Sequence, residues 1–235
     1  WSDEDLGRLE AAFEAERSFA ANAAHELRTP LAGAIAQAQR LQAETRDADA
    51  KARAAEIEAT LKRLTRLSER LLQLARAEGG RLRRDEAADL CPLARLLSDE
   101  MARAEGHGRV RLLLPETPVM SDLDPDAFAI LFRNLVENAL RHGAEGGSVE
   151  ARLGPDGAFA VANDGPALSP AVLERLTNRF ERASERSDGS GLGLAIVAAI
   201  AERIGSSLVL KSPRPGHASG FEATIRLPIR APSRA

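Results

Sequence analysis

Cysteine is nearly absent from this chain: Cys91 is the only one in 235 residues. No intramolecular disulfide can form, so the fold has to hold by packing and polar contacts, as in a reducing compartment. Beside Pro92 and Leu93 that thiol reads as a small buried apolar residue. Long apolar runs are missing too, since no stretch of about 18 such residues occurs and no charged-then-apolar leader opens the chain. The chain starts at Trp1 without a methionine, so we expect a soluble, cytoplasmic piece of a longer protein, with any inner-membrane anchor upstream. An excess of one charge is also lacking. A net charge of −3 and a pI near 5.9 supply no general pull toward nucleic acid or acidic lipid. Lysine is scarce, three of the 32 basic residues (51, 62 and 211), so a single arginine says little about phosphate. What remains, 44% hydrophobic and 29% charged residues, is enough for one or two domains with real cores.

Two regimes of periodicity divide the chain. Over residues 1 to about 42, Leu6, Leu9, Phe13, Ala20, Ala24, Leu27, Leu31 and Ile35 recur at three- and four-residue steps, which predicts one long helix. A polar turn near 44–49 follows. Ile57, Leu64 and Leu71 then repeat every seven residues, with Leu61, Ser68 and Ala75 interleaved, until Gly79-Gly80 ends the pattern. Two helices and a short turn make a hairpin with more apolar stripe than it can cover itself, so pairing with a second copy in a four-helix bundle is expected. We place this helical domain at 1–79 and a mixed α/β domain at 85–235. In the latter, short helices are expected at 93–104, 128–142, 169–178 and 192–204. Strands are expected at 110–114, 118–121, 149–153, 158–161, 207–212 and 221–227. Asp124-Pro125-Asp126 starts the second of those helices, with proline in its first turn.

One stretch of the first domain carries chemistry. In Asn22-Ala-Ala-His25-Glu26-Leu27-Arg28-Thr29-Pro30-Leu31, His25 and Thr29 share a helix face and Glu26 flanks the imidazole. A histidine near its ordinary pKa is largely neutral at pH 7 and offers a ring nitrogen as nucleophile. Pro30 removes one helical hydrogen bond, so a bend is expected just past the histidine. The pattern Phe19-x-x-Asn22-x-x-His25-Glu-Leu-Arg-Thr-Pro-Leu31 resembles the phospho-accepting box of bacterial sensor histidine kinases.

The second domain holds three further elements. In Asn134-Leu-Val-Glu-Asn138-Ala-Leu-Arg141-His142, polar residues are spaced along one helix face while Phe128, Leu131, Leu135, Ala139 and Leu140 form the other. Amide oxygens are hard neutral donors suited to Mg²⁺, and Arg141 lies one turn on, within reach of a phosphate. This stretch resembles the asparagine box of the same family, with Asn138 the first Mg²⁺ candidate and Asn134 the second. Asn163-Asp164-Gly165-Pro-Ala167 stands where the family has Asp-x-Gly-x-Gly, whose aspartate accepts the adenine amine. Here an amide replaces that aspartate and Ala167 the second glycine, and Asp164 is a candidate to share the contact. Gly189-Ser-Gly191-Leu192-Gly193-Leu194 opens a helix with unencumbered N–H groups, a place for phosphate. It is no P-loop, since no Gly-Lys-Ser/Thr follows. It is similar to the family's second glycine box, and Phe180-Glu-Arg182 to the box within its nucleotide lid.

The resemblance implies a dimeric helical hairpin, then a two-layer α/β sandwich shared with gyrase and heat-shock ATPases. It implies ATP and Mg²⁺ as ligands, autophosphorylation of His25, and transfer to the receiver domain of a response regulator. Glu26 would hold the ring proton, and Thr29 would orient water for dephosphorylating the regulator. Arg182 would reach the phosphates. Two alternatives stay open: a weakened nucleotide-binding scaffold for a regulator, prompted by Asn163 and Ala167, and a gyrase-like hydrolase, which would want an acid at position 134.

Overall fold

The computed structural model describes residues 26–104, 108–176 and 191–230. The chain divides into two compact units, Trp1–Gly80 and Arg81–Ala235.

In the first unit, α1 covers 26–44, running unbroken through Pro30, and α2 covers Ala48–Gly79. Asp47 starts α2 as its cap, the carboxylate accepting from the N–H groups of Asp49 and Ala50. The helices are tied in the order of an antiparallel pair. Gln39 and Gln42 donate to Glu58 at 2.8 and 2.7 Å, and Arg28 meets Glu69 at 3.2 Å. Ala38 and Ala54 are buried and Leu31, Ile35 and Leu61 half-buried, but the row Ile57, Leu64 and Leu71 stays exposed. One chain covers one seam of α2 and leaves the heptad seam bare. Gly80 closes α2, its N–H donating to the Arg76 carbonyl at 2.8 Å.

The second unit begins at once. The Leu82 carbonyl accepts from Asp124 N at 2.8 Å, so Arg81 alone separates a residue bonded to the hairpin from one bonded to the next unit. Strand β1 (Arg83–Asp89) pairs antiparallel with β3 (Met120–Leu123). No strand is expected from the sequence at 83–89, because Arg-Arg-Asp-Glu-Ala-Ala-Asp shows no apolar alternation; partner backbone and one ion cluster make it. Asp122, wholly buried, accepts from Arg83 Nε (2.9 Å) and Nη2 (2.8 Å) and from Arg230 Nε (2.8 Å). The arginines, Arg83 first, hold its carboxyl below the usual range against the opposing effect of burial.

α3 (Leu90–Ala104) follows, and β2 (Val110–Leu113) opens a five-stranded sheet of order β2-β4-β5-β7-β6. β4 (Val149–Leu153) runs parallel to β2; β5 (Ala158–Asn163), β7 (Phe221–Arg226) and β6 (Leu208–Lys211) continue antiparallel. α4 (Pro125–His142), α5 (Pro170–Arg175) and α6 (Gly193–Arg203) complete the unit, with α4 against α3, α6 and the sheet. Asp124 caps α4 by accepting from Asp126 N and Ala127 N, with Pro125 in the first turn as its sequence predicts. The core forms where α4 meets β5. Phe159 lies 5.5 Å, centroid to centroid, from both Phe128 and Phe132, and all three are fully buried. Leu140, expected in this core, is only half-buried, and β3 lies two residues later than its sequence predicts. Asp89 explains that shift, since its carboxylate takes the N–H of Val119 and thereby delays pairing.

Candidate functional site

Strand register does the first part of positioning. Along β5, Phe159, Val161 and Asn163 alternate on the face that meets the helices. Asn163 therefore sits in an apolar row between Val149 of β4 and Phe221 of β7, and only 3% of it is exposed. Its Nδ2 donates to the Asp164 carbonyl at 3.1 Å, while its Oδ1 is buried with no hydrogen-bond partner. A buried acceptor in that state carries a desolvation cost of roughly 1–3 kcal/mol unless a ligand supplies a donor.

The end of α4 closes on the same place. Gly143 N caps the helix on the Ala139 carbonyl, and Ala144 N donates to the Asp164 carbonyl at 2.7 Å. A Cβ on Gly143 would lie 3.3 Å from both Cβ and Nδ2 of Asn163. Asn138 is half-buried, whereas Arg141 and His142 are exposed on the last turn. Crowding around the His142 ring, and then the neighbouring Arg141 charge, pushes its pKa down, so it stays neutral at pH 7. The expectation that Asn134 lines this polar face needs correcting. It is 1% exposed among the core residues of α4, and its amide donates back to the Ile130 carbonyl at 2.8 Å. Helical spacing alone does not separate an outward amide from one satisfied by the preceding turn.

α6 supplies the third wall. Leu192 and Leu194 are buried in the core, so their side chains are anchors and only their backbone can face a ligand. They pin a turn in which Gly191 has φ +68° and from which α6 starts without a side-chain cap. Its first N–H groups are an anion-ready end. Asp164 is half exposed, its carboxylate 3.6 Å from Arg214 Nη1, and Gly165 sits at the turn with its carbonyl accepting from Gly220 N at 2.7 Å. No sequence signal brings in Arg214; the β6–β7 pairing carries it there.

Among the catalytic candidates, Glu26 and Thr29 lie exposed at the start of the described part of α1. His25, Phe180, Arg182 and Gly189 lie outside the described residues. Among the described residues no cluster of three or more His, Cys, Asp or Glu could hold a metal, and no helix is long and apolar enough to cross a membrane.

Comparison with known proteins follows the two units. Residues 15–80 match the family described as His Kinase A (phospho-acceptor) domain. Residues 123–231 match the Histidine kinase-, DNA gyrase B-, and HSP90-like ATPase family. The chain is 33% identical over 229 residues to the sensor protein QseC of Escherichia coli K12, covering 94% of this chain and 49% of that protein. It is 35% identical over 237 residues to the sensor protein kinase PmrB of Pseudomonas aeruginosa, covering 97% of this chain and 48% of that protein. It is 33% identical over 230 residues to the sensor protein BasS of Escherichia coli K12, covering 94% and 61%. The chain thus spans about half to three-fifths of these relatives. In fold it is similar to full-length ShkA in complex with AMPPNP (TM-score 0.66, 22% identity, 92% of this chain and 46% of that one). It is likewise similar to the mycobacterial sensor histidine kinase MprB (TM-score 0.51, 25% identity, 62% and 97%).

Proposed function

The chain belongs to the sensor histidine kinases, with a phospho-acceptor helical region followed by an ATPase-type α/β sandwich, and on that footing we propose what its own residues do. ATP binds the second unit and donates its γ-phosphoryl group to His25, from which the group passes to an aspartate in a response regulator's receiver domain. In the first step a ring nitrogen bonds to the γ-phosphorus, the bond from that phosphorus to the β–γ bridging oxygen breaks, and ADP leaves. In the second an aspartate oxygen takes the phosphoryl group and the imidazole is regenerated.

The observation that carries the reading is the buried, unpartnered Oδ1 of Asn163. It fits the exocyclic amine of adenine, in a row otherwise lined by apolar side chains suited to a base. Asn163 is the acceptor, and Asp164, drawn toward Arg214, is not. Gly165 leaves space at the turn, while the uncapped start of α6, with Gly189, Gly191, Gly193 and the backbone of Leu192 and Leu194, receives phosphate. Arg141 meets phosphate charge, with Arg182 a second contributor, and neutral His142 and Phe180 border the base. Asn138 would hold Mg²⁺, which when bound would supply neutralisation of the phosphate charge, while Asn134 stays in the core of α4. With no acidic cluster among the described residues, the ion's counter-charge comes from the phosphates.

Glu26 retains the proton on the non-attacking ring nitrogen, and Thr29 orients water for removing phosphate from the regulator. The exposed row Ile57, Leu64 and Leu71 pairs with a second copy of the chain. The whole protein is anchored in the inner membrane through a region upstream, this part facing the cytoplasm. Incubation with γ-³²P-ATP and Mg²⁺ should give acid-labile, alkali-stable label that is absent from His25→Gln. Equal label in both would remove His25 from the scheme. Asn163→Ala should weaken ATP binding about 5-fold, one net hydrogen bond.

A further inference from the structure

An amide used as a base acceptor has a problem that a carboxylate does not. Either oxygen of an aspartate accepts, but an asparagine turned over presents NH₂ instead. Something has to fix the sense of the Asn163 amide, and the surroundings of the turn supply a candidate.

The Asp164 carbonyl accepts from Asn163 Nδ2 at 3.1 Å and from Ala144 N at 2.7 Å. Turned over, the amide would set Oδ1 against that carbonyl, oxygen to oxygen. The sense is therefore held as long as the Asp164 peptide is held. The loop after β6 fastens it at three points. Gly220 N donates to the Gly165 carbonyl at 2.7 Å. Ser212 Oγ accepts from Leu168 N at 2.8 Å and donates to the Gly220 carbonyl at 2.7 Å. Arg214 reaches Asp164 itself, Nη1 to Oδ1 at 3.6 Å. The Arg214 side chain is 18% exposed, and its Nε is buried without a partner, a cost that buys position. Its Nη2 lies 2.9 Å from Nε2 of His217, and its stem packs so closely on Gly220 that a Cβ there would come within 3.1 Å of Cδ.

We propose that Arg214, acting through Asp164, is the positioning residue that fixes the sense of the Asn163 amide and so sets a preference for adenine over guanine nucleotides. The inference rests on the reading of Asn163 as the base acceptor. With Oδ1 presented, the adenine amine is accepted and the guanine O6 is repelled; with the amide turned over, the preference reverses.

The test measures ADP and GDP affinities, with Mg²⁺, by calorimetry on the full chain, with melting curves as the check on folding. Arg214→Ala should weaken ADP about 5-fold, strengthen GDP or leave it unchanged, and so shrink the GDP-to-ADP ratio of dissociation constants at least as much. Arg214→Lys should retain most of the parent ratio. In an Asn163→Asp background, where both oxygens accept, Arg214→Ala should leave the ratio unchanged. Arg214→Gln carries the same comparison should Arg214→Ala fail to fold. An equal loss of ADP and GDP binding would overturn the proposal, as would the same shrinkage in the Asn163→Asp background. Separately, an Asn163→Ala chain that binds ADP like the parent would remove the base contact itself.

Discussion

Replacing Asp122 by asparagine keeps the shape of the side chain and deletes the charge on which two arginines converge. In the parent, the buried carboxylate accepts three bonds of 2.8–2.9 Å, two from Arg83 in a fork and one from Arg230. Charge-assisted bonds are worth roughly 1.5–3 kcal/mol each. Both guanidinium groups are about half exposed, however, and can turn to water once released, so the sum has to be discounted. Asparagine also keeps one acceptor oxygen while turning an NH₂ toward a cation. About 3 kcal/mol of lost stability is the net expectation, short of the penalty for stranding a buried charge. For a unit of roughly 150 residues that corresponds to about 6–12 °C in melting temperature. Denaturant and thermal melts of parent and Asp122→Asn should show it in the transition of the second unit. The pH dependence has a definite sign. A carboxyl held below its unfolded pKa contributes stability above that value, near 4, and loses it as pH falls through the folded value. The gap between the two proteins should thus be full at pH 7 and shrink below about pH 4. A penalty under about 1 kcal/mol at neutral pH, or one that persists undiminished in acid, would refute the cluster as the anchor of β1.

Glu58 gives a second pH signature. Lys62, then Gln39 and Gln42, lower its carboxyl to about 2, so its contribution to the hairpin should hold down to about pH 4 and fade toward pH 2; Glu58→Gln should flatten that acid limb of a helix melt. Covering the exposed half of Ile57, Leu64 and Leu71 is worth about 1 kcal/mol per side chain, so Leu64→Asp should shift the chain from dimer to monomer in sedimentation. Gly220→Ala places a Cβ 2.7 Å from the Asn163 carbonyl at φ +88°, and should cost about 2 kcal/mol along with ADP affinity. Burial pushes the Cys91 thiol up, so labelling by a thiol reagent at pH 8 should track unfolding instead of proceeding at the rate of a free thiol.

The elements legible in the sequence were those whose signal is local. Asp124-Pro125-Asp126 carries the start of α4 in three residues, and the strand expected at 149–153 is β4 with the same bounds. β1 lay beyond reach, because what stabilises Arg83 is an aspartate 39 residues away. Asn163 was legible as a residue but not as a geometry. Reading β5 to end at Val161 leaves Asn163 in a turn, whereas two more paired residues place its side chain in the buried row. For Asn134, the three- and four-residue spacing was real but does not tell an outward amide from one bonded to the turn behind. Arg214 offered no signal at all, since a loop arginine acquires a partner only when two strands fix where the loop returns.

The closeness of Gly80, bonded into α2, to Leu82, bonded into the second unit, limits what the chain can do between them. Two links of backbone stretch to about 7 Å, and Arg81 between them is the one residue that neither set of backbone bonds holds. Lengthening the chain there by a few flexible residues should therefore leave the melting of each unit unchanged.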